Sequence, residues 1–206
     1  MVIFDFDGTL IDCDSFPLFA THVLGKRKMM MRLLKNLPIL IRWKMGMTDA
    51  STAKEKLFSS WFKGIGREEA ERLAETFTRL LERHLRPEAR KRLEQAESEG
   101  EKVVIISASP GLWILPWARL RDIEVIATEV EWNGDCLTGR FSTPNCKGEE
   151  KVRRFRKRFG AATYPDEAWG DSRDDLPMLR LAAKRVWVGK GKPLYDTSVA
   201  NEKLAR

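Results

Sequence analysis

The chain has 206 residues, enough for one domain with a hydrophobic core or for a core domain carrying a small insert. Apolar residues make up 43% and charged residues 33%, which excludes wholesale disorder. Three cysteines (Cys13, Cys136, Cys146) without a CxxC pair exclude a disulfide framework and fit a reducing, cytoplasmic compartment. The formal charge of +7 points to an anionic partner: nucleic acid, an acidic lipid surface or a phosphorylated substrate.

Residues 2–6 (VIFDF) read as a short buried strand running into a Gly-Thr turn. With an apolar strand pattern beginning at the second residue, no signal peptide is expected. From about 15 to 84 the signals are helical. Phe58, Trp61 and Phe62 follow Ala53 and Leu57 at helical spacing, and Leu73, Phe77, Leu80, Leu81 and Leu85 repeat the pattern. Pro87 suits the first turn of a further helix that stops at Gly100. Residues 102–106 (KVVII) form a second strand, followed by Ser107 and a helix from near Gly111. A third strand is predicted at 124–128, and Asn133-Gly134 marks a hairpin turn. A basic helix follows Gly148, then a strand ending at Trp169, a helix after Asp174 and a last strand at 185–188. Strands alternating with helices imply an α/β fold, a parallel sheet covered on both faces. The long helical stretch after the first strand does not fit a normal crossover and reads as an inserted cap. The expected division is a core of residues 1–13 and 85–206 with a helical cap of residues 14–84.

Four segments carry candidate chemistry. Asp5 and Asp7 in Asp5-Phe6-Asp7-Gly8-Thr9 lie at the carboxyl end of the first strand, the edge where open α/β sheets bind ligands. A carboxylate with an ordinary pKa of about 3.9 is ionised at neutral pH, so Asp5 can attack phosphorus directly. Asp7 can protonate the leaving oxygen and later activate water. Ser107-Ala108-Ser109, at the end of the second strand and before a helix, offers hydroxyls and backbone N–H groups to a phosphate. Lys147 and Lys151, four apart at the start of the basic helix, can each neutralise charge in phosphoryl transfer, and spacing leaves both open. Asp171 and Asp175 follow another strand and, with Asp5, supply the hard oxygen ligands that Mg²⁺ takes.

Together these segments resemble the haloacid dehalogenase superfamily of phosphatases, over essentially the whole chain. The resemblance implies a Rossmann-like core, Asp5 as nucleophile, Asp7 as acid/base and Ser107 as phosphate binder beside Gly8, Ala108 and Ser109. It also implies a lysine of the third segment as charge stabiliser, and Mg²⁺ held by Asp5, the main-chain carbonyl of Asp7 and Asp171 with Asp175 in support. A cap straight after the first motif is similar to the phosphoserine phosphatase branch, where Asp14 stands at the place of a substrate-reading Glu. The fourth motif, however, has Ser172 and Asp174 where that branch has Gly and Asn. Asp14-Ser15-Phe16, Ser107-Ala108-Ser109-Pro110 with Trp113 and Trp117, and Asn145-Cys146 before Gly148-Glu149-Glu150-Lys151 are similar to phosphatidylglycerophosphatase C-type hydrolases. This likeness implies Lys151, whereas the spacing to the fourth motif in the phosphoserine phosphatase branch implies Lys147; Lys151 is the preferred expectation.

Between Asp14 and Asp49 no acidic residue occurs, while Lys26, Arg27, Lys28, Arg32, Lys35, Arg42 and Lys44 do. Met29–Met31, Leu33, Leu34, Leu37, Ile39–Ile41 and Trp43 are interleaved with them, a pattern for peripheral contact with an anionic membrane. The uncharged run from Asn36 to Ile41 is too short to span one. The expected activity is Mg²⁺-dependent phosphomonoester hydrolysis on a lipid headgroup phosphate such as phosphatidylglycerophosphate, at the inner face of the membrane. The alternatives are a soluble phosphoserine phosphatase-like enzyme and a basic membrane- or nucleic-acid-binding module without catalysis. No nucleic-acid motif accompanies the charge. His22 and His84 lack a metal-ligand pattern, and Trp113 and Trp117 read as core.

Overall fold

A computed structural model describes residues 1–189 and 192–196; the last ten residues assigned to the core, 197–206, lie outside the described residues. Strand β1 (Val2–Phe4) is flanked in parallel by β2 (Val103–Pro110) and β6 (Glu167–Gly170), in the register Val2↔Val103 and Val2↔Glu167. With β3 (Glu124–Thr128) beyond β2 and β7 (Lys184–Gly189) beyond β6, five strands run parallel in the order β3-β2-β1-β6-β7. The expectation that 185–188 is the last strand is corrected: β8 (Lys192–Asp196) pairs antiparallel with β7 at the edge.

Alternation along β1 sends Val2 and Phe4 into one apolar layer and Ile3 into the other, so both faces are buried. The first layer is closed by α5 (Pro87–Ser98) and α6 (Gly111–Arg119), the second by α7 (Glu149–Phe159) and α8 (Leu176–Leu179). Pro87 opens α5, and Gly100 follows its end at φ +66°, as the turn chemistry implies. Trp113 and Trp117 are fully buried in the first layer.

Between β1 and β2 the chain forms α1 (Ser15–Lys35), α2 (Leu37–Lys44), α3 (Ala50–Phe62) and α4 (Arg67–Arg83). Asp14 caps α1 by accepting the Phe16 N–H, and Asp49 caps α3 by accepting the Ser51 and Thr52 N–H groups. Gly25, at φ +75° and ψ 152°, breaks α1 into two segments. The hairpin of β4 (Val130–Asn133) and β5 (Cys136–Phe141) turns at Gly134 as expected, yet it lies on this helical insert and not on the sheet. Leu137 exchanges backbone hydrogen bonds with Gly64 and Ile65, and Phe141 packs on Phe58 at 4.9 Å between centroids. At Gly139 (φ +84°) the backbones approach so closely that a Cβ would sit 2.8 Å from Ser59 Cα.

Candidate active site

The carboxyl ends of β1, β2 and β6 and the start of α7 open onto one cleft of about 430 Å³. It is lined by Asp5, Asp7, Gly8 and Asp14 after β1, Ser107 and Ala108 from β2, Lys147 and Lys151, and Asp171 and Asp175 after β6. Four segments separated by up to about 170 residues thus meet, because a parallel sheet delivers every strand end to the same edge.

Asp5 is 6% exposed and Lys151 1%. The Lys151 ammonium donates to Asp5 Oδ1 and to Asp175 Oδ1, both at 2.5 Å. Burial alone would lower the Lys151 pKa, but the charges of Asp5 and Asp175 outweigh it and hold the side chain protonated. Of the two candidate lysines, only Lys151 reaches the Asp5 carboxylate. Lys147 stands at the mouth, with its ammonium 3.6 Å from Asp174. The first turn of α7 makes this difference: Gly148 (φ +56°) turns the chain, and its N–H donates to the Asp174 carbonyl, which orients the helix so that position 151 points inward.

Burial and the nearby Asp175 charge push Asp5 well above the usual carboxylate range, and the same two causes raise Asp171. Asp171 accepts a hydrogen bond from Thr9 Oγ1 at 3.2 Å. Oxygens of Asp5, Asp171 and Asp175 lie within 4.8 Å of one another. One ammonium against three such carboxylates leaves negative charge uncompensated, and an all-oxygen donor set suits a hard divalent cation such as Mg²⁺. The residues fit the ion. Asp175 has a second task, since its Oδ2 accepts the Asp171 and Ser172 N–H groups and the Ser172 hydroxyl. It therefore fixes the loop that aims Asp171. Two glycines make room: a Cβ on Gly8 (φ +74°) would fall 2.3 Å from Asp171 Oδ2, and one on Gly170 2.5 Å from Asp175 Cβ.

Asp7 accepts the Ser15 N–H at 2.7 Å and the Ser109 hydroxyl on its other oxygen. Ser109, expected to line the substrate pocket, is fully buried and bonded to Asp7 instead, because β2 continues in extended form to Pro110 and turns position 109 inward. Ser107 is also buried; its hydroxyl accepts the Ser109 N–H, and it borders the cleft with Ala108. Partial burial and the Asp7 charge raise the pKa of Asp14 at the mouth.

Two cations of the cleft escape sequence reasoning. Lys54 on α3 enters it, donating to the Ala108 carbonyl at 3.1 Å, with its ammonium 5.6 Å from the centre of the Phe16 ring. Burial lowers its pKa against the opposing charges of Asp7, Asp14 and Asp5. Arg86 donates to the Gly8 carbonyl at 2.7 Å. The only signal for it was its place before Pro87, which confines it to extended backbone. His84 pairs with Asp12 at 2.8 Å, and Cys13 lies close to both.

The sequence profile of the haloacid dehalogenase-like hydrolases matches residues 2–180. The chain belongs to this family. Protein CicA of Caulobacter vibrioides is 32% identical over 200 residues, covering 94% of this chain and 88% of its own. A histidinol-phosphatase of Neisseria meningitidis is 25% identical over 218 residues, covering 91% and 89%. Among solved structures, a Bordetella pertussis protein of unknown function superposes with a TM-score of 0.74 at 21% identity, covering 91% of this chain and 88% of that one. A phosphoserine phosphatase solved as a phospho-aspartyl intermediate analogue gives 0.60 at 17%, covering 90% and 84%. Lys54 from the helical insert and Asp5 from the sheet edge both line the cleft.

Proposed function

We propose that this hydrolase is a phosphatase that cleaves phosphomonoesters through an aspartyl-phosphate on Asp5. The observation that carries the reading is the Asp5 carboxylate, buried at the sheet edge, hydrogen-bonded to Lys151 and gathered with Asp171 and Asp175. A carboxylate so placed is aimed, desolvated and accessible from the cleft.

In the first half-reaction an Asp5 oxygen forms a bond to phosphorus as the ester P–O bond breaks, and Asp7 gives its proton to the departing alkoxide. In the second, Asp7 takes a proton from water, whose oxygen bonds phosphorus as the Asp5–phosphorus bond breaks, releasing inorganic phosphate and restoring both side chains. The Ser15 N–H and Ser109 hydroxyl hold Asp7 in place for both transfers. Lys151 compensates charge on Asp5 as the phosphoryl group arrives, and Ser107 with Ala108 borders the space its oxygens enter. Asp5 and Asp171 would hold Mg²⁺, with Asp175 in support; when bound, the ion shields the phosphoryl oxygens as a Lewis acid.

Two substrate classes fit. A lipid headgroup phosphate, such as phosphatidylglycerophosphate presented at the inner face of the cytoplasmic membrane, is favoured by the basic, apolar outer surface of α1 and α2. A soluble zwitterionic phosphomonoester such as phosphoserine is favoured by Asp14 and Lys54, one negative and one positive group on the same cleft. Phosphate release is measured with both substrates and with a soluble aryl phosphate, in Mg²⁺. Asp5→Asn is expected to abolish release from every substrate; wild-type turnover in that variant overturns the reading. Preference between the first two substrates assigns the class.

A further inference from the structure

The proposed chemistry leaves the outer face of the α1–α2 pair unused. Eight of the eleven large apolar side chains exposed among the described residues fall between positions 30 and 47, among them Met30, Leu34, Leu37, Ile41, Trp43 and Met45. Leu34 is 57% exposed and Met45 68%, values that singly placed surface apolar residues reach but that a concentrated group requires a reason for. The inner face is already satisfied: Met29 and Ile39 are buried, and Arg32 donates to the Ser60 and Trp61 carbonyls. The apolar groups outside are therefore surplus to the packing of the insert. Met30 and Leu34, and Leu37 and Ile41, are each four apart and so share a helical face.

Around them stand Lys26, Arg27, Lys28, Lys35, Arg42 and Lys44, all exposed, and none makes an ion pair among the described residues. No acidic residue interrupts them between Asp14 and Asp49. We propose that this surface docks the protein onto an anionic lipid bilayer, the apolar side chains entering the headgroup–acyl boundary while the cations meet lipid phosphates. The contact is peripheral, since no helix of the described residues is long and apolar enough to cross a membrane.

The chemistry discriminates among occupants. A nucleic acid would use the cations, but it finds no stacking platform beyond Trp43 and leaves Met, Leu and Ile side chains in water. A second copy would cover the apolar groups only by bringing six like charges against six. An anionic bilayer satisfies both sets at once. The break at Gly25 separates this arm from the first half of α1, whose opening N–H at Ser15 holds Asp7. Docking does not rest on the phosphatase reading, because it is measured without substrate.

The test is co-sedimentation of the full chain with vesicles of phosphatidylcholine alone and of phosphatidylcholine with phosphatidylglycerol, at low and high salt. Binding is expected only to the second, weakening with salt. Lys26→Gln/Arg27→Gln/Lys28→Gln should weaken it about 100-fold, at about fivefold per charge. Leu34→Ser/Ile41→Ser should weaken it about 20-fold by losing insertion of two half-buried side chains. Both variants should keep wild-type hydrolysis of a soluble aryl phosphate, which establishes folding. Independently of any loss of fold, brominated phosphatidylglycerol should quench wild-type fluorescence more than that of Trp43→Phe. Equal binding to the two vesicle types, no Trp43-dependent quenching, binding of an RNA oligonucleotide in place of vesicles, or a dimer abolished by Leu34→Ser/Ile41→Ser would each overturn the proposal.

Discussion

Replacing Lys151 by Met keeps the length and most of the volume of the side chain and removes only its charge and donors. In the wild type the ammonium lies 2.5 Å from both Asp5 and Asp175, at 1% exposure, so water cannot take its place. Removing one member of a buried ionic cluster costs about 3–5 kcal/mol, because the partners are left charged and unpaired. For a chain of this size each kcal/mol moves Tm by about 2–4 °C, which gives a fall of roughly 6–20 °C. Added Mg²⁺ should return part of it by compensating the same carboxylates. Loss of one preorganised electrostatic group at the reacting centre lowers kcat by about 100- to 1,000-fold. Lys147→Ala, which removes only a 3.6 Å contact with exposed Asp174, should lie within about threefold of wild type, the range of a surface pair. Lys151→Arg separates folding from catalysis: it keeps the charge and much of the Tm, but its planar fork cannot reproduce the ammonium between two carboxylates. The assays are thermal unfolding and steady-state hydrolysis of an aryl phosphate. A Lys151→Met variant within tenfold of wild-type kcat, or a larger loss in Lys147→Ala, would refute the assignment.

Gly8→Ala should cost about 1–3 kcal/mol from the left-handed backbone alone and displace Asp171, so kcat falls far more than KM changes; unchanged kcat in steady-state kinetics contradicts this. Cys136 is exposed, whereas burial first and neighbouring acids second push the Cys13 thiol up to about 12, and burial pushes Cys146 up to about 11. Alkylation at neutral pH, followed by peptide mass spectrometry, should therefore modify Cys136 first. Hydrogen bonds from Arg153 and Arg154 lower Glu150 to about 2 against the opposing effect of its slight burial. A lowered carboxylate contributes stability above its unfolded pKa and loses it as pH falls through about 2. Glu150→Gln should thus cost about 1 kcal/mol after solvent screening at pH 7 and progressively less in acid, measured by urea unfolding.

Sequence periodicity reached the sheet and the site through different signals. The five parallel strands were legible because short apolar runs alternate with amphipathic helices, and the acidic and serine segments were legible because each follows such a run. Beyond those runs the local pattern weakens. The expected strand at 102–106 continues to Pro110, since Ser107 and Ser109 are buried by neighbours that composition does not reveal, and this carries Ser109 to Asp7. The hairpin at Gly134 was marked by its turn, but its seat on α3 depends on a long-range approach at Gly139 that no local signal encodes. Lys54 stands beside Glu55 and Lys56 on α3 with no local pattern to set it apart, and only the folding of the insert over the sheet edge distinguishes it. Spacing left Lys147 and Lys151 equal; the turn at Gly148 separates them.

The most direct measurement is chemical trapping of the intermediate. The protein is mixed with substrate and Mg²⁺, quenched in acid, reduced with borohydride and digested, and the peptide containing residue 5 is examined by mass spectrometry. Reduction of an acyl phosphate should convert Asp5 to homoserine, in an amount that rises with substrate. Phosphate release with Asp5 left unmodified, or conversion of a different aspartate, would contradict the account.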